Sequence, residues 1–73
     1  MDLHNLTIEQ VQKIMDDEKD FSRCISIEYI GTNMFDETIP KYRMKWFDEI
    51  DAEEVEDSIM IFTRDDGSHW IRY

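Results

Sequence analysis

Only one proline and two glycines occur in 73 residues. With 41% hydrophobic and 12% aromatic residues, that scarcity argues for a folded domain rather than a disordered, strongly charged chain. Cysteine also occurs once, at Cys24. A single thiol closes no disulfide within the chain and supplies no thiolate zinc site, and it suits a reducing compartment such as the cytoplasm. The longest apolar run, Ile59-Met60-Ile61-Phe62, is far below the ~20 residues of a membrane span. No early stretch joins basic residues to an apolar block, so no signal peptide is expected. Bases are few as well. Eight Lys and Arg stand against eighteen Asp and Glu, for a net charge of −10. A surface of that sign repels nucleic acid and anionic membranes alike, so neither is an expected partner.

The length allows one domain over residues 1–73. A chain this short buries only about 60% of its unfolded surface, so its stability is marginal unless a partner helps. Self-repulsion should lower it further. Raising sodium chloride from ~10 mM to ~0.1 M shortens the Debye length from about 30 Å to about 10 Å. The melting temperature is expected to climb over that interval. A melting curve indifferent to salt would count against a concentrated acidic surface.

Thr7 reads as a helix N-cap, because Gln10 three residues on completes a capping box, while Leu6 and Val11 fit a hydrophobic staple. Ile8, Val11, Ile14 and Met15 recur at helical spacing, which predicts a helix from Ile8 to about Lys19. The period then changes to two. Cys24 to Ile30 alternates as a strand, with Ile25, Ile27 and Tyr29 on one side, and Gly31-Thr32-Asn33 breaks it. Met34 to Pro40 is ambiguous, and Pro40 argues against a central strand there. Lys41 to Asp48 alternates again, with Tyr42, Met44 and Trp46 on one face. Lys41, Arg43, Lys45 and Phe47 lie on the other, read as solvated. Residues 48–57 read as a loop or one or two helical turns. Ser58 to Arg64 is a β-branched and aromatic run, Asp65-Asp66-Gly67-Ser68 is a hairpin turn with Gly67 at positive φ, and His69 to Tyr73 is the last strand. One helix followed by about four strands predicts an α+β domain, with the helix laid on one face of an antiparallel sheet.

Catalytic and metal motifs are not recognisable. Asp65-Asp66-Gly67 has the glycine of a calcium loop without its ligand spacing. His4 and His69 have no partner at ligand spacing, and Cys24 within an apolar strand reads as a small buried hydrophobe. No cofactor, metal or enzymatic activity is expected. Trp46, Phe62, Trp70 and Tyr42 fall at strand spacing and read as core or as a dimer interface. Single strands stacking on them would need a basic groove, of which Lys41, Arg43 and Lys45 offer little.

The carboxylates remain. Asp48, Glu49, Asp51, Glu53, Glu54, Glu56 and Asp57 form one array without a base among them. Asp16, Asp17, Glu18 and Asp20 form a second, unexplained by helix stability because anions there oppose the helix dipole. Asp65 and Asp66 sit at the hairpin tip. Acidic residues often form no more than a solvated face. Their spacing carries a second meaning: carboxylates two residues apart on a strand lie ~6.6 Å apart, and those at i, i+4 on a helix ~5–6 Å apart. Asp16 and Asp20 fit the helical interval. Glu49, Asp51 and Glu53 fit the extended one, and Glu53, Glu54, Glu56 and Asp57 fit a helical turn. A protein that binds DNA nonspecifically reads mainly backbone charge and accepts a rigid array of anions at such intervals. A homodimer would match the two-fold symmetry of a dimeric DNA-binding protein.

In size, charge and element order the chain resembles the small acidic early proteins of lytic bacteriophages that imitate DNA. Such proteins block restriction enzymes, uracil-DNA glycosylase, CRISPR nucleases or the bacterial nucleoid protein HU, and the chain is similar to the Bacillus phage inhibitor of HU. Glu56-Asp57-Ser58-Ile59-Met60 also resembles the acidic-Ser-Ile-aliphatic strand of the phage uracil-DNA glycosylase inhibitors, here late in the chain instead of in the first strand. The resemblance implies a noncatalytic inhibitor in the host cytoplasm, binding a basic DNA-binding protein. The alternative is an interaction module for a nuclease, a glycosylase, RNA polymerase or an immunity-type target, held by aromatic anchors with acidic steering. A third is a subunit of a larger assembly.

Overall fold

The structure, a computed structural model, describes residues 2–73. Helix α1 spans Ile8–Asp17, and four strands follow: β1 Ser22–Thr32, β2 Pro40–Asp48, β3 Glu53–Thr63 and β4 His69–Arg72. Every neighbouring pair is antiparallel and the sheet order is β1-β2-β3-β4. The fold is therefore α+β, with α1 packed on one face of a meander.

The helix begins as the sequence dictates. Thr7 Oγ1 accepts from the Gln10 amide at 3.1 Å, and Gln10 Oε1 accepts from the Thr7 amide at 2.9 Å. It ends two residues before Lys19. Lys19 takes φ 58°, a left-handed turn that stops helical propagation. Asp20 consequently lies outside the helix, and the i, i+4 relation between Asp16 and Asp20 is not realised.

Val11, Ile14 and Met15 meet Cys24, Tyr42, Met44, Trp46, Ile59 and Ile61 in the core, with Leu6 at its end. The alternation in β2 places Tyr42, Met44 and Trp46 inward, as the spacing predicts. Polar clamps fix the rest. Tyr42 hydroxyl donates to the Leu3 carbonyl at 2.5 Å and accepts from the Leu6 amide at 3.1 Å, tying the N-terminal segment to the sheet. Gln12 spans the gap from helix to edge strand: its Oε1 accepts from the Cys24 amide at 2.7 Å and its Nε2 donates to the Ser22 carbonyl at 3.1 Å.

Four strand expectations need correction. β1 does not alternate strictly: its register against β2 shifts between Cys24 and Ser26 and again between Tyr29 and Gly31. Each bulge inserts one residue and flips the sides, so Cys24 is buried with Ile27 packed beside it while Ile25 is 40% exposed. The second bulge also carries the strand through Gly31, at φ 126°, to Thr32. Pro40 opens a central strand after all, because the first position is one a missing N–H tolerates. Residues 48–57 contain no helical turn. β2 ends at Asp48, residues 49–52 turn, and β3 begins at Glu53, five residues before the β-branched run.

Ala52 in that turn adopts φ 54°, a region that costs an L-residue about 1–2 kcal/mol. Ala52→Gly is expected to raise the unfolding free energy by roughly 0.5–1 kcal/mol after glycine's extra entropy loss. Urea melts measure this, and a lower midpoint would mean the turn is built differently.

Candidate functional site

The β2–β3 turn is organised by one of its own acids. Asp48 Oδ1 accepts from the amides of Ile50 and Asp51 at 2.9 and 3.2 Å, the usual way a short acidic side chain closes a turn. Ile50 is left 76% exposed at the tip. Arg23 is the one cation paired here, with Nη2 3.8 Å from Glu49 Oε1 and its guanidinium 5.6 Å from the Phe47 ring centroid.

Beyond the turn, pleating splits the acids of β3. Val55 packs against the core, so Glu53 and Asp57 share its side, toward the helix, and Glu54 and Glu56 share the open side. Asp57 Oδ1 accepts from the Ser58 amide at 2.8 Å. Among the described residues, Asp51, Glu53, Glu54 and Glu56 make no side-chain hydrogen bond or ion pair. Lys45 stands opposite Glu56 in register, and Glu53 stands opposite Asp48, a like-charge pair across the strands. Such a pair destabilises a sheet.

Strand length makes this segment unusual. β4 pairs only with Met60–Thr63 and Tyr73 lies beside Ile59, so among the described residues Glu53–Ser58 has no strand paired on its outer side. A bare strand edge invites pairing with other chains, and charge is one means of preventing it. Glu53, Glu54, Glu56 and Asp57 lie along that edge and serve that end whatever else they do.

The second group of acids is engaged within the fold. Asp16 accepts from Gln12 Nε2 at 3.0 Å, and Asp17 pairs with Lys13 Nζ at 3.2 Å. Glu18 binds Arg64 Nη1 at 2.5 Å, and that hydrogen bond holds its carboxyl below the ordinary glutamate range. Asp20 accepts from the Ser22 amide at 3.0 Å and from the Tyr73 hydroxyl. Burial first, then this bond, pushes the Tyr73 phenol upward. These contacts supply the local reason for the acids that the helix dipole does not. Asp65 and Asp66 lie on the β3–β4 turn, at the end of the sheet opposite the β2–β3 turn. Asp66 closes that turn by accepting from the Ser68 amide and hydroxyl at 2.9 and 2.6 Å, bonds that lower its carboxyl pKa. Gly67 takes φ 88° as expected. The acids thus form three separate groups, and the β2–β3 group alone combines contiguity with mostly unpaired charge.

Most of the cations share the open sheet face with Glu54 and Glu56. Lys41, Arg43 and Lys45 project from the open sheet face with Arg72, which stands opposite Met60, and Arg43 is 3.8 Å from Glu28. Phe62 and Trp70 share that face and stack on each other, with centroids 4.8 Å apart. Tyr42 and Trp46 are core, whereas Phe62 and Trp70 are half-buried.

The β1–β2 loop, ambiguous by sequence pattern, presents two large apolar side chains to solvent. Met34 and Phe35 are 87% and 91% exposed, yet the loop beneath them is braced. Asn33 Oδ1 accepts from the Phe35 amide at 2.8 Å, and Asp36 Oδ1 accepts from the Thr38 amide and hydroxyl at 2.9 and 2.6 Å. Asn33 and Asp36 two residues before their amide partners were the available signal, since both residue types form such turns.

The reactive groups are committed locally. Cys24 is buried, which raises its thiol pKa. His4 Nε2 lies 2.9 Å from the Glu37 carbonyl, and His69 Nδ1 3.0 Å from Thr63 Oγ1. Among the described residues no three His, Cys, Asp or Glu side chains are grouped to hold a metal, and no helix is long and apolar enough to cross a membrane. Comparison with family models, curated proteins and solved structures found no match.

Proposed function

We propose that this chain is a noncatalytic inhibitor that occupies the DNA-binding surface of a basic host protein, of which the bacterial nucleoid protein HU is the type. One observation carries the reading: carboxylates with little internal compensation run along the β2–β3 turn and the bare edge of β3. Consecutive strand residues rise ~3.3 Å, and phosphates along one DNA strand rise ~3.4 Å. Seen from the edge, Glu53, Glu54, Glu56 and Asp57 therefore project charge at nearly the axial interval of a nucleic-acid backbone, with one step skipped at Val55. The β2 pairing holds their backbone in register, so a cationic partner meets fixed attachment points and orders only the side chains on binding. Asp48, Glu49 and Asp51 continue the charge around the turn. Competition tests the reading: the chain should displace duplex DNA from such a protein, and less effectively as salt rises.

A second reading rests on Met34 and Phe35. A braced loop holding two large apolar side chains outward is a preorganised anchor for an apolar pocket on a protein target. If binding energy resides there, Phe35→Ser weakens target binding roughly tenfold or more, while neutralising the β3 acids changes mainly the association rate. Surface plasmon resonance on the two variants separates the readings.

A further inference from the structure

The sheet has three stretches of free edge, and they are not alike. β1 is broken by two bulges, and its first residues are capped by Gln12. β4 is short. The third stretch, β3 below the end of β4, is regular: its pairing with β2 runs from Lys41–Met60 to Asp48–Glu53 without a shift. Nothing in the backbone there hinders another strand. Where β4 stops, an open notch is lined by Asp57, Ser58, Ile59 and Tyr73 together with the cations Lys41 and Arg72, so the acidic stretch proper lies below it, toward Glu53.

The charges on this edge select rather than merely repel. The charge order of Glu53-Glu54-Val55-Glu56-Asp57 is the same in both directions, two acids on either side of an apolar residue. A second copy of this chain would set acid against acid, and an uncharged strand would leave four carboxylates facing nothing. We propose that the edge Glu53–Ser58 receives an extended segment of a protein partner as an added strand in line with β4. That segment carries Lys or Arg in two pairs about one apolar residue. Main-chain hydrogen bonds hold it, and the side chains set specificity. The stretch is about 20 Å long at ~3.3 Å per residue. The palindromic charge order accepts the segment in either direction. This inference rests on the reading of the acidic edge as the binding site, and adds that the partner's basic element is an extended segment.

The test uses the whole chain and a capped synthetic peptide, Thr-Lys-Lys-Val-Lys-Lys-Thr, with a control methylated on the amide nitrogens of its four lysines. Methylation keeps every charge and removes the donors that strand addition needs. In heteronuclear NMR titrations at low salt, the unmethylated peptide should shift the amides of Glu53–Ile59. It should also slow exchange of the β3 amides that face away from β2 by about tenfold or more. The methylated peptide should bind about tenfold more weakly or worse. Glu54→Gln with Glu56→Gln, checked for an unchanged spectrum elsewhere, should weaken the first peptide by a similar factor. Equal binding of the two peptides, no binding, or shifts centred away from β3 would overturn the inference. Equal binding alongside intact displacement of DNA would remove strand addition and leave the acidic-array reading standing. Strand addition without DNA displacement would do the reverse.

Discussion

Replacing Glu53, Glu54 and Glu56 with Gln and Asp57 with Asn should leave the domain folded and weaken its hold on a basic DNA-binding protein by roughly 100-fold or more. Four charges opposing a cationic surface need contribute only about 0.7 kcal/mol each for that factor, modest beside measured close charge pairs across interfaces. The fold should tolerate the change. All four residues are exposed, and Asn at position 57 keeps an oxygen for the Ser58 amide, which Asp57 holds at 2.8 Å. Removing the repulsion between Glu53 and Asp48, which face each other in register, acts toward greater stability. Circular dichroism melts paired with anisotropy competition read both halves. A variant that still displaced DNA with native potency would place the binding surface elsewhere.

The largest stability effect is expected at Met44. It is completely buried, on the central strand β2, within the cluster formed by the helix and the sheet. Met44→Ala removes packing from both layers and leaves a cavity, a change that costs about 2–5 kcal/mol. At about 4–8 °C of melting temperature per kcal/mol for a domain of this size, the midpoint should fall by roughly 8–40 °C. The marginal stability of so short a chain makes partial unfolding at room temperature the expected outcome at the upper end. Met60→Ala is the control. Met60 is half-buried on the other side of the sheet, beside Lys41 and Arg72, and its loss should cost about 1 kcal/mol or less. Equal effects at the two positions would contradict the assignment of faces.

Much of this architecture was legible because local chemistry and tertiary packing agree. Thr7 and Gln10 announce the helix start by themselves. The period-two pattern from Tyr42 to Trp46 survives because β2 has a neighbour on each side and no irregularity, so alternation maps directly onto inside and outside. β1 misled the pattern because a bulge is a tertiary decision: nothing about Ile25 or Ile30 marks them as the extra residues. The start of β3 was hidden for a different reason. Glu53 to Asp57 has the composition of a loop, and it is a strand because β2 presents a complete ladder for it to pair with. Low intrinsic preference yields to that context.

The candidate site divides along the same line. The acidic composition marks residues 48–57 as one stretch of chain, without showing that it divides into a turn and a strand. It gave no sign that Glu18 and Asp20 are occupied by Arg64, Ser22 and Tyr73, because those three contacts depend on the helix ending where it does or on partners distant in sequence, whereas Gln12–Asp16 and Lys13–Asp17 are i, i+4 pairs within the helix. Nor did it show that Asp65 and Asp66 lie at the far end of the sheet from Asp51. The bare edge itself follows from unequal strand lengths, which only pairing reveals.

On the proposed function, a row of carboxylates carried on an ordered strand takes the place of DNA on a cationic protein. Fluorescence anisotropy of a labelled duplex bound to purified HU, titrated with the native chain at low and at moderate salt, measures this most directly. The duplex should be released as the chain binds, and more chain should be needed as salt rises. A duplex that stays bound while the chain joins it in a ternary complex would mean that the acids do not occupy the DNA-binding surface.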